Sequence, residues 1–301
     1  MKKIFLLATL LAGMATAACA QDYRFDPPWN TPPASKVMFT VPGVDNVPDL
    51  YGDINDPQLV IFFAGNQFMC IDELITAFKA AYPQYTRVFA ETLPPGILAQ
   101  QLIGGSLTIG NMRITLQPDV YTAGKSRITQ MQPYFSDTVA YTHNRLAIMT
   151  PAGNPAQVHS LQDLGKPHVR VSMPNPEWEG IGKRIEEAFI KAGGTALQQQ
   201  IMHAKVKDST TFLTQIHHRQ SPMRILYHQS DAAPVWYSEA YYQQKAGHPV
   251  TLIPIPDEHN ITATYMAGQL KNAPHPQAAA DFMTFIVSAK AKEIYRSFGF
   301  R

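Results

Sequence analysis

From Leu59 onward the chain alternates short apolar runs with longer stretches of helical periodicity. Leu59-Val60-Ile61-Phe62-Phe63-Ala64 is an unbroken apolar run of strand length, closed by Gly65-Asn66-Gln67. The stretch 70–82 then places Leu74, Ala77 and Phe78 on one helical face. The same alternation predicts strands at 86–91 and 118–122, with helices at 94–102 and 125–132. Further on it predicts strands at 145–150, 168–173, 232–237, 250–255 and 262–270. Helices are expected at 160–164, where Ser160 serves as cap, at 180–192 with a stop at Gly193-Gly194, at 209–219, at 277–288 and at 290–298. Strands that are apolar throughout are buried on both faces, so the pattern predicts an α/β fold with parallel sheet covered by helices.

The two ends of the pattern read differently. Residues 1–20 begin Met1-Lys2-Lys3, continue through an apolar stretch and end in Ala18-Cys19-Ala20, the order of a secretory signal. That segment is too short for a mature membrane span and is expected to be removed ahead of Gln21. A lipid-anchored form ending its signal at Cys19 is the rival reading, disfavoured by Thr16 where a lipobox prefers Leu. Residues 21–57 hold seven prolines and little periodicity, as in Pro27-Pro28 and Pro32-Pro33, and read as an irregular arm.

Charge narrows the function. The chain carries 25 Lys plus Arg against 23 Asp plus Glu. Removing Lys2 and Lys3 with the signal leaves 23 against 23, with no field to draw the protein onto a polyanion. Nucleic acid is excluded as a partner. Cys70 is then the sole thiol, sits in Phe68-Met69-Cys70-Ile71, and reads as a buried small hydrophobe.

Catalytic and nucleotide motifs are absent. Gly124-Lys125-Ser126 ends like a phosphate loop, but the required upstream glycine is Asp119. Gly180-Ile181-Gly182 lacks the third glycine of a dinucleotide site. No nucleophile elbow, zinc-protease helix or cysteine pair occurs, so no enzyme activity and no cofactor are expected. His217-His218-Arg219 is a polar cluster whose adjacent imidazoles point about 100° apart on a helix. Tyr241-Tyr242 falls in an amphipathic stretch, and Glu177-Trp178-Glu179 places an aromatic beside a helix start, a common cleft position.

Read in order, four stretches resemble the periplasmic molybdate-binding group of solute-binding proteins. They are Phe63-Ala64-Gly65-Asn66-Gln67-Phe68; residues 144–155 followed by Ser160-Leu161-Gln162-Asp163-Leu164; Pro176-Glu177 with Gly182; and the tail from Pro276, ending Tyr295-Arg296-Ser297-Phe298-Gly299-Phe300. The resemblance covers about residues 59–300. It implies a two-lobed fold of type II, each lobe a mostly parallel sheet flanked by helices. Two crossing strands near 141–151 and 250–264 would act as hinge. Lobe 1 would comprise 58–142 plus 256–301, and lobe 2 residues 143–255.

By the same resemblance, Asn66, Gln67 and Thr92 would bind ligand from lobe 1. Glu177, Trp178, Gly180, Ser209, Thr210 and Tyr237 would close from lobe 2. The sequence departs from the group in its donors. Relatives that bind molybdate present serine hydroxyls after the first two strands, where this chain has Asn66-Gln67 and Thr92-Leu93-Pro94-Pro95, with Glu91 adjacent. About ten residues near 107–116 look inserted. The expectation is an exported, monomeric, periplasmic protein that holds a small polar ligand, an oxyanion first, and delivers it to the membrane subunit of an ABC importer. A metal receptor using Glu91 and His217, or a scaffold that binds a protein partner, are the competing expectations.

Overall fold

The computed structural model describes residues 50–109, 112–177, 179–215 and 220–301. The signal segment, most of the proline-rich arm, Trp178 and His217 lie outside the described residues.

The first half begins with β1 (Leu50–Gly52) and β2 (Leu59–Phe62), a 3₁₀ turn over Gly65–Cys70, and α1 (Ile71–Ala81). Next come β3 (Val88–Glu91), α2 (Pro95–Gly104), β4 (Leu107–Ile109), β5 (Met112–Ile114), β6 (Val120–Gly124) and α3 (Lys125–Gln130). The segment that looked inserted contains β4 and β5, which pair antiparallel. β2 shows why its run is continuous. Leu59 and Ile61 pack into the core under α1, while Val60 and Phe62 pack into the core under α2 and α3. Alternate side chains of a strand leave opposite faces, and both faces here are covered.

β7 (Phe135–Pro151) is a single strand of 17 residues. It leads to β8 (Val171–Met173), α4 (Gly180–Gln199), α5 (Lys205–Lys207), β9 (Thr211–Leu213), α6 (Gln220–Leu226), β10 (Ala233–Trp236), α7 (Tyr237–Lys245) and β11 (Val250–Pro254). β12 (Thr262–Leu270), α8 (Pro276–Ile286) and α9 (Ala289–Ser297) return to the first half. A separate apolar core forms around Leu146, Ile148, Val171, Ile185 and Phe189.

The main sheet runs β1-β3-β2-β6-β12-β7-β10, with β11 also on β7. β3, β2 and β6 are parallel, but β12 is antiparallel to both β6 and β7, and β10 and β11 are antiparallel to β7. The sheet is therefore mixed rather than mostly parallel, because the long returning strands run against the βα units. β7 joins the two halves: residues from Phe135 to Arg145 pair with β12, and residues from Leu146 to Pro151 pair with β10 and β11. Asn260, on the second connection, accepts from the Leu146 N–H and donates to the Leu146 carbonyl, both at 2.9 Å. The two connections are thereby sewn together.

Two local expectations are corrected and a third holds. The stretch 209–219 was predicted helical, but Thr211–Leu213 is β9, parallel to β8. Its Thr-Phe-Leu composition suits a strand, and three residues are too few to show alternation. The 3₁₀ turn at Gln162–Gly165 has Leu161 and not Ser160 at its N-terminal cap position, with no side-chain cap. Asp163 Oδ2, inside the turn, instead accepts from the N–H groups of His159 and Ser160 at 2.8 and 3.0 Å, and from the Ser160 hydroxyl. The stop predicted at Gly193-Gly194 is present: both glycines leave helical geometry, Gly194 with φ 70°, and a second helical stretch follows as far as Gln199.

Candidate functional site

A cleft of about 1300 Å³ lies between the two halves. Its walls are the turns that follow strands. From the first half come Asn66 after β2, Pro94-Pro95-Gly96 after β3 and Gly124-Lys125-Ser126-Arg127 after β6. From the second come Pro176-Glu177 and the start of α4 after β8, with Trp236 at the end of β10. Tyr265 and residues 262–264 of β12 form the floor between them. Ligand clefts of open α/β sheets sit at these carboxyl ends of strands.

The Asn66 amide donates to the Tyr265 hydroxyl at 2.5 Å, and both residues are buried and line the cleft. Burial raises the Tyr265 phenol, so it stays neutral as an acceptor and donor. Trp236 packs edge-on against Tyr265, with ring centres 6.3 Å apart. The 3₁₀ turn carrying Asn66 approaches the next loop closely: a Cβ on Gly65 would stand 2.8 Å from the Thr92 carbonyl oxygen.

Charge is distributed unevenly. The lining residues of the first half carry Lys125 and Arg127 and no acid. Those of the second half carry Glu177, Glu179 and Glu187 beside Lys183 and Arg184. Arg184 bridges Glu187 at 3.0 Å on the surface of α4. Glu179 caps α4, is buried, and accepts from the Thr214 hydroxyl.

The cleft brings together Asn66, Glu177 and Gly180 of the residues expected to bind ligand. Gln67 faces the core: its Nε2 donates to the Tyr141 hydroxyl at 2.6 Å, and its Oε1 accepts from the Tyr295 hydroxyl at 2.9 Å. Thr92 is buried and does not line the cleft. Ser209 and Thr210 precede β9, at the end of that strand far from the cleft, and the Thr210 N–H is held by the Lys205 carbonyl at 2.8 Å. The misread helix caused that displacement. Tyr237 turns away from the cleft, with the Arg145 guanidinium over its ring at 3.9 Å and Tyr241 stacked at 6.1 Å. Its neighbour Trp236 takes the cleft side instead.

Glu91 lies behind the wall rather than in it. It is fully buried, with Oε1 accepting from Gln101 Nε2 at 2.9 Å, and burial pushes its pKa up to about 7. Among the described residues no three His, Cys, Asp or Glu side chains cluster to hold a metal ion. Cys70 is buried, and burial raises its thiol well above the usual range.

Lys125, Ser126, Arg127, Trp236 and Tyr265 were not foreseen as cleft residues. A signal existed for the first three: Gly124-Lys125-Ser126 joins an apolar strand to a helix, and failing as a phosphate loop does not remove that position from a strand end.

Comparison with known proteins agrees with this architecture. The family described as bacterial extracellular solute-binding protein matches residues 59–301. The molybdate-binding protein ModA of Mycobacterium tuberculosis H37Rv is 23% identical over 245 residues, covering 81% of this chain and 84% of that protein. The Azotobacter vinelandii periplasmic molybdate-binding protein superposes with a TM-score of 0.65 at 14% identity, over 81% of this chain and 98% of that one. The sulfate-binding protein SubI of M. tuberculosis H37Rv gives 0.63 at 17% identity, over 81% and 85%. These likenesses identify the two-lobed type II periplasmic-binding fold.

Proposed function

The chain belongs to the bacterial extracellular solute-binding proteins, and on that premise we propose that it captures a small polar, anionic ligand between its lobes and presents it to an ABC importer. The observation that carries this reading is the cleft itself, placed at the ends of β2, β6 and β8 and spanned, among the described residues, by β7 and residues 255–261. Rotation about β7 and residues 255–261 would bring Glu177 and the start of α4 toward Lys125 and Arg127, enclosing a ligand and removing water from it. The anion assignment is supported by Lys125, Ser126 and Arg127, a hydroxyl flanked by two cations on an acid-free wall. It is also supported by relatives whose names record molybdate and sulfate binding.

Export is part of the same proposal. It is supported by the basic–apolar–small order of residues 1–20. No helix among the described residues is long and apolar enough to cross a membrane. A non-catalytic role is supported by the absence of recognisable catalytic motifs in the sequence.

The test is a thermal-shift screen of the protein against oxyanions, carboxylates, neutral sugars and divalent metals, followed by calorimetry on any hit. A ligand at 100 times its Kd adds about 2.7 kcal/mol and raises the Tm by a few degrees. Stabilisation by an anion, abolished in K125A/R127A, is the expected result. Stabilisation by metals alone, or by none of the probes, would overturn the proposal.

A further inference from the structure

We infer that the ligand is an organic anion, with its charged group on the Lys125–Arg127 turn and its carbon body over Trp236 and Tyr265, and not a bare inorganic oxyanion. The inference rests on the solute-binding reading and narrows its ligand class.

The first argument counts donors. A bare tetrahedral oxyanion leaves water only where protein N–H and O–H groups surround it on several sides. Here several main-chain and amide positions that could do so are closed, and the hydroxyls of Ser126, Thr129 and Thr262 belong to the acid-free wall and the floor. Helix α2 enters the cleft on Pro94-Pro95, two residues without an N–H, and the N–H groups of Ile97 and Leu98 already bond the Pro94 carbonyl at 2.9 and 3.1 Å. The Asn66 amide is tied to Tyr265, and that of Gln67 to Tyr141.

Across the cleft, Asn175 holds two further donors. Its carbonyl accepts from the Glu179 N–H at 2.8 Å, and its Oδ1 accepts from the Glu177 N–H at 3.0 Å. The cap of α4 is itself a carboxylate, Glu179, with Glu177 two residues before it. An anion placed there meets like charge. The side chains of Lys125, Ser126 and Arg127 at the start of α3 are therefore the anion seat, because Lys183 and Arg184 on the opposite wall stand among Glu177, Glu179 and Glu187.

The second argument is what the rest of the space offers. Pockets that hold drug-sized ligands run to roughly 300–1,000 Å³, and this cleft reaches about 1300 Å³ in the form described. Its floor is the Trp236–Tyr265 pair with Ala263, and Pro95, Ile97 and Ile181 stand on the walls. Apart from the Tyr265 hydroxyl and the Trp236 indole N–H, these surfaces are apolar and suit a carbon skeleton. Hydroxyl or ammonium groups on that skeleton would find an acceptor in Glu177 when the lobes close.

The experiment is calorimetry at constant ionic strength with two probe sets, alongside intrinsic tryptophan fluorescence. One set is sulfate, phosphate, molybdate and tungstate; the other is L-malate, citrate and glycerol 3-phosphate. Support requires an organic probe to bind at least 10-fold more tightly than every inorganic one. It must also perturb tryptophan emission and lose at least 10-fold in K125A/R127A. Molybdate, tungstate, sulfate or phosphate binding as tightly as any organic probe would overturn the inference and leave the solute-binding reading standing. Failure of both sets together with neutral sugars and metals would overturn both.

Discussion

Glu91 Oε1 accepts a hydrogen bond from Gln101 Nε2 at 2.9 Å, while Glu91 Oε2 and Gln101 Oε1 are buried without any protein partner. A protonated Glu91 supplies the missing donor. An acid facing an amide can close a two-bond ring, whereas an ionised one leaves a charge in the core.

This pair makes stability depend on pH. Burial raises the folded pKa of Glu91 from 4.5 to about 7. Below 4.5 both states are protonated and the contribution is complete. Between 4.5 and about 7 the unfolded chain loses the proton first, so stability falls by about 3 kcal/mol and then levels off. Urea unfolding at pH 5 and pH 8 should show that fall, and E91Q, whose amide can make the same ring at every pH, should not. An equal slope in E91Q would remove Glu91 as the cause.

Gln67 is expected to be a structural residue. Gln67→Leu removes the amide that both the Tyr141 and Tyr295 hydroxyls bond, leaving them to each other and to Thr122, and should cost about 1–3 kcal/mol. Ligand affinity, measured well below the lowered Tm, should change less than threefold. A large loss of affinity with native stability would put the amide in the site.

Pro95→Ala restores an N–H to the first turn of α2. If donor shortage is what excludes inorganic oxyanions, this variant should bind sulfate or tungstate several-fold more tightly than the parent in calorimetry. Unchanged affinity would show that the prolines are irrelevant to ligand choice.

Gly182 stands in the first turn of α4, where a Cβ would come within 2.6 Å of the Pro174 carbonyl oxygen and the Pro176 nitrogen. These are backbone atoms of the cleft-edge loop and cannot swing aside. Gly182→Ala should lower stability by about 1–3 kcal/mol and weaken ligand binding, because the loop carrying Glu177 must shift. Denaturation and calorimetry on the same sample check both effects.

Much of this fold was legible from the chain because its central strands are covered on both faces. The run at 59–64, the helix at 70–82 and the strand at 262–270 sit where their patterns predicted, within a few residues. Short elements carried less signal, and β9, three residues long, was read as helix. The candidate site was less legible than the fold. Position after a strand marks a residue as near the cleft, and Asn66, Glu177 and Gly180 are there. Which way a side chain turns depends on partners far along the chain. Gln67 is drawn inward by tyrosines 74 and 228 residues away, and β10 presents Trp236 to the cleft while Tyr237 turns to Arg145.

β6 and β7 are neighbours in sequence but not in the sheet, for β12 lies between them and pairs with both. The order of assembly follows from that placement. A growing chain that has made β6 and β7 holds two strands with an empty slot between them, and nothing can fill it until residues 262–270 arrive. The first lobe therefore closes last, although its first strand is made early, and the whole excursion through the second lobe comes before it. A nascent or truncated chain ending short of Thr262 keeps two unpaired strand edges open, available to chaperones, to a translocation channel or to aggregation.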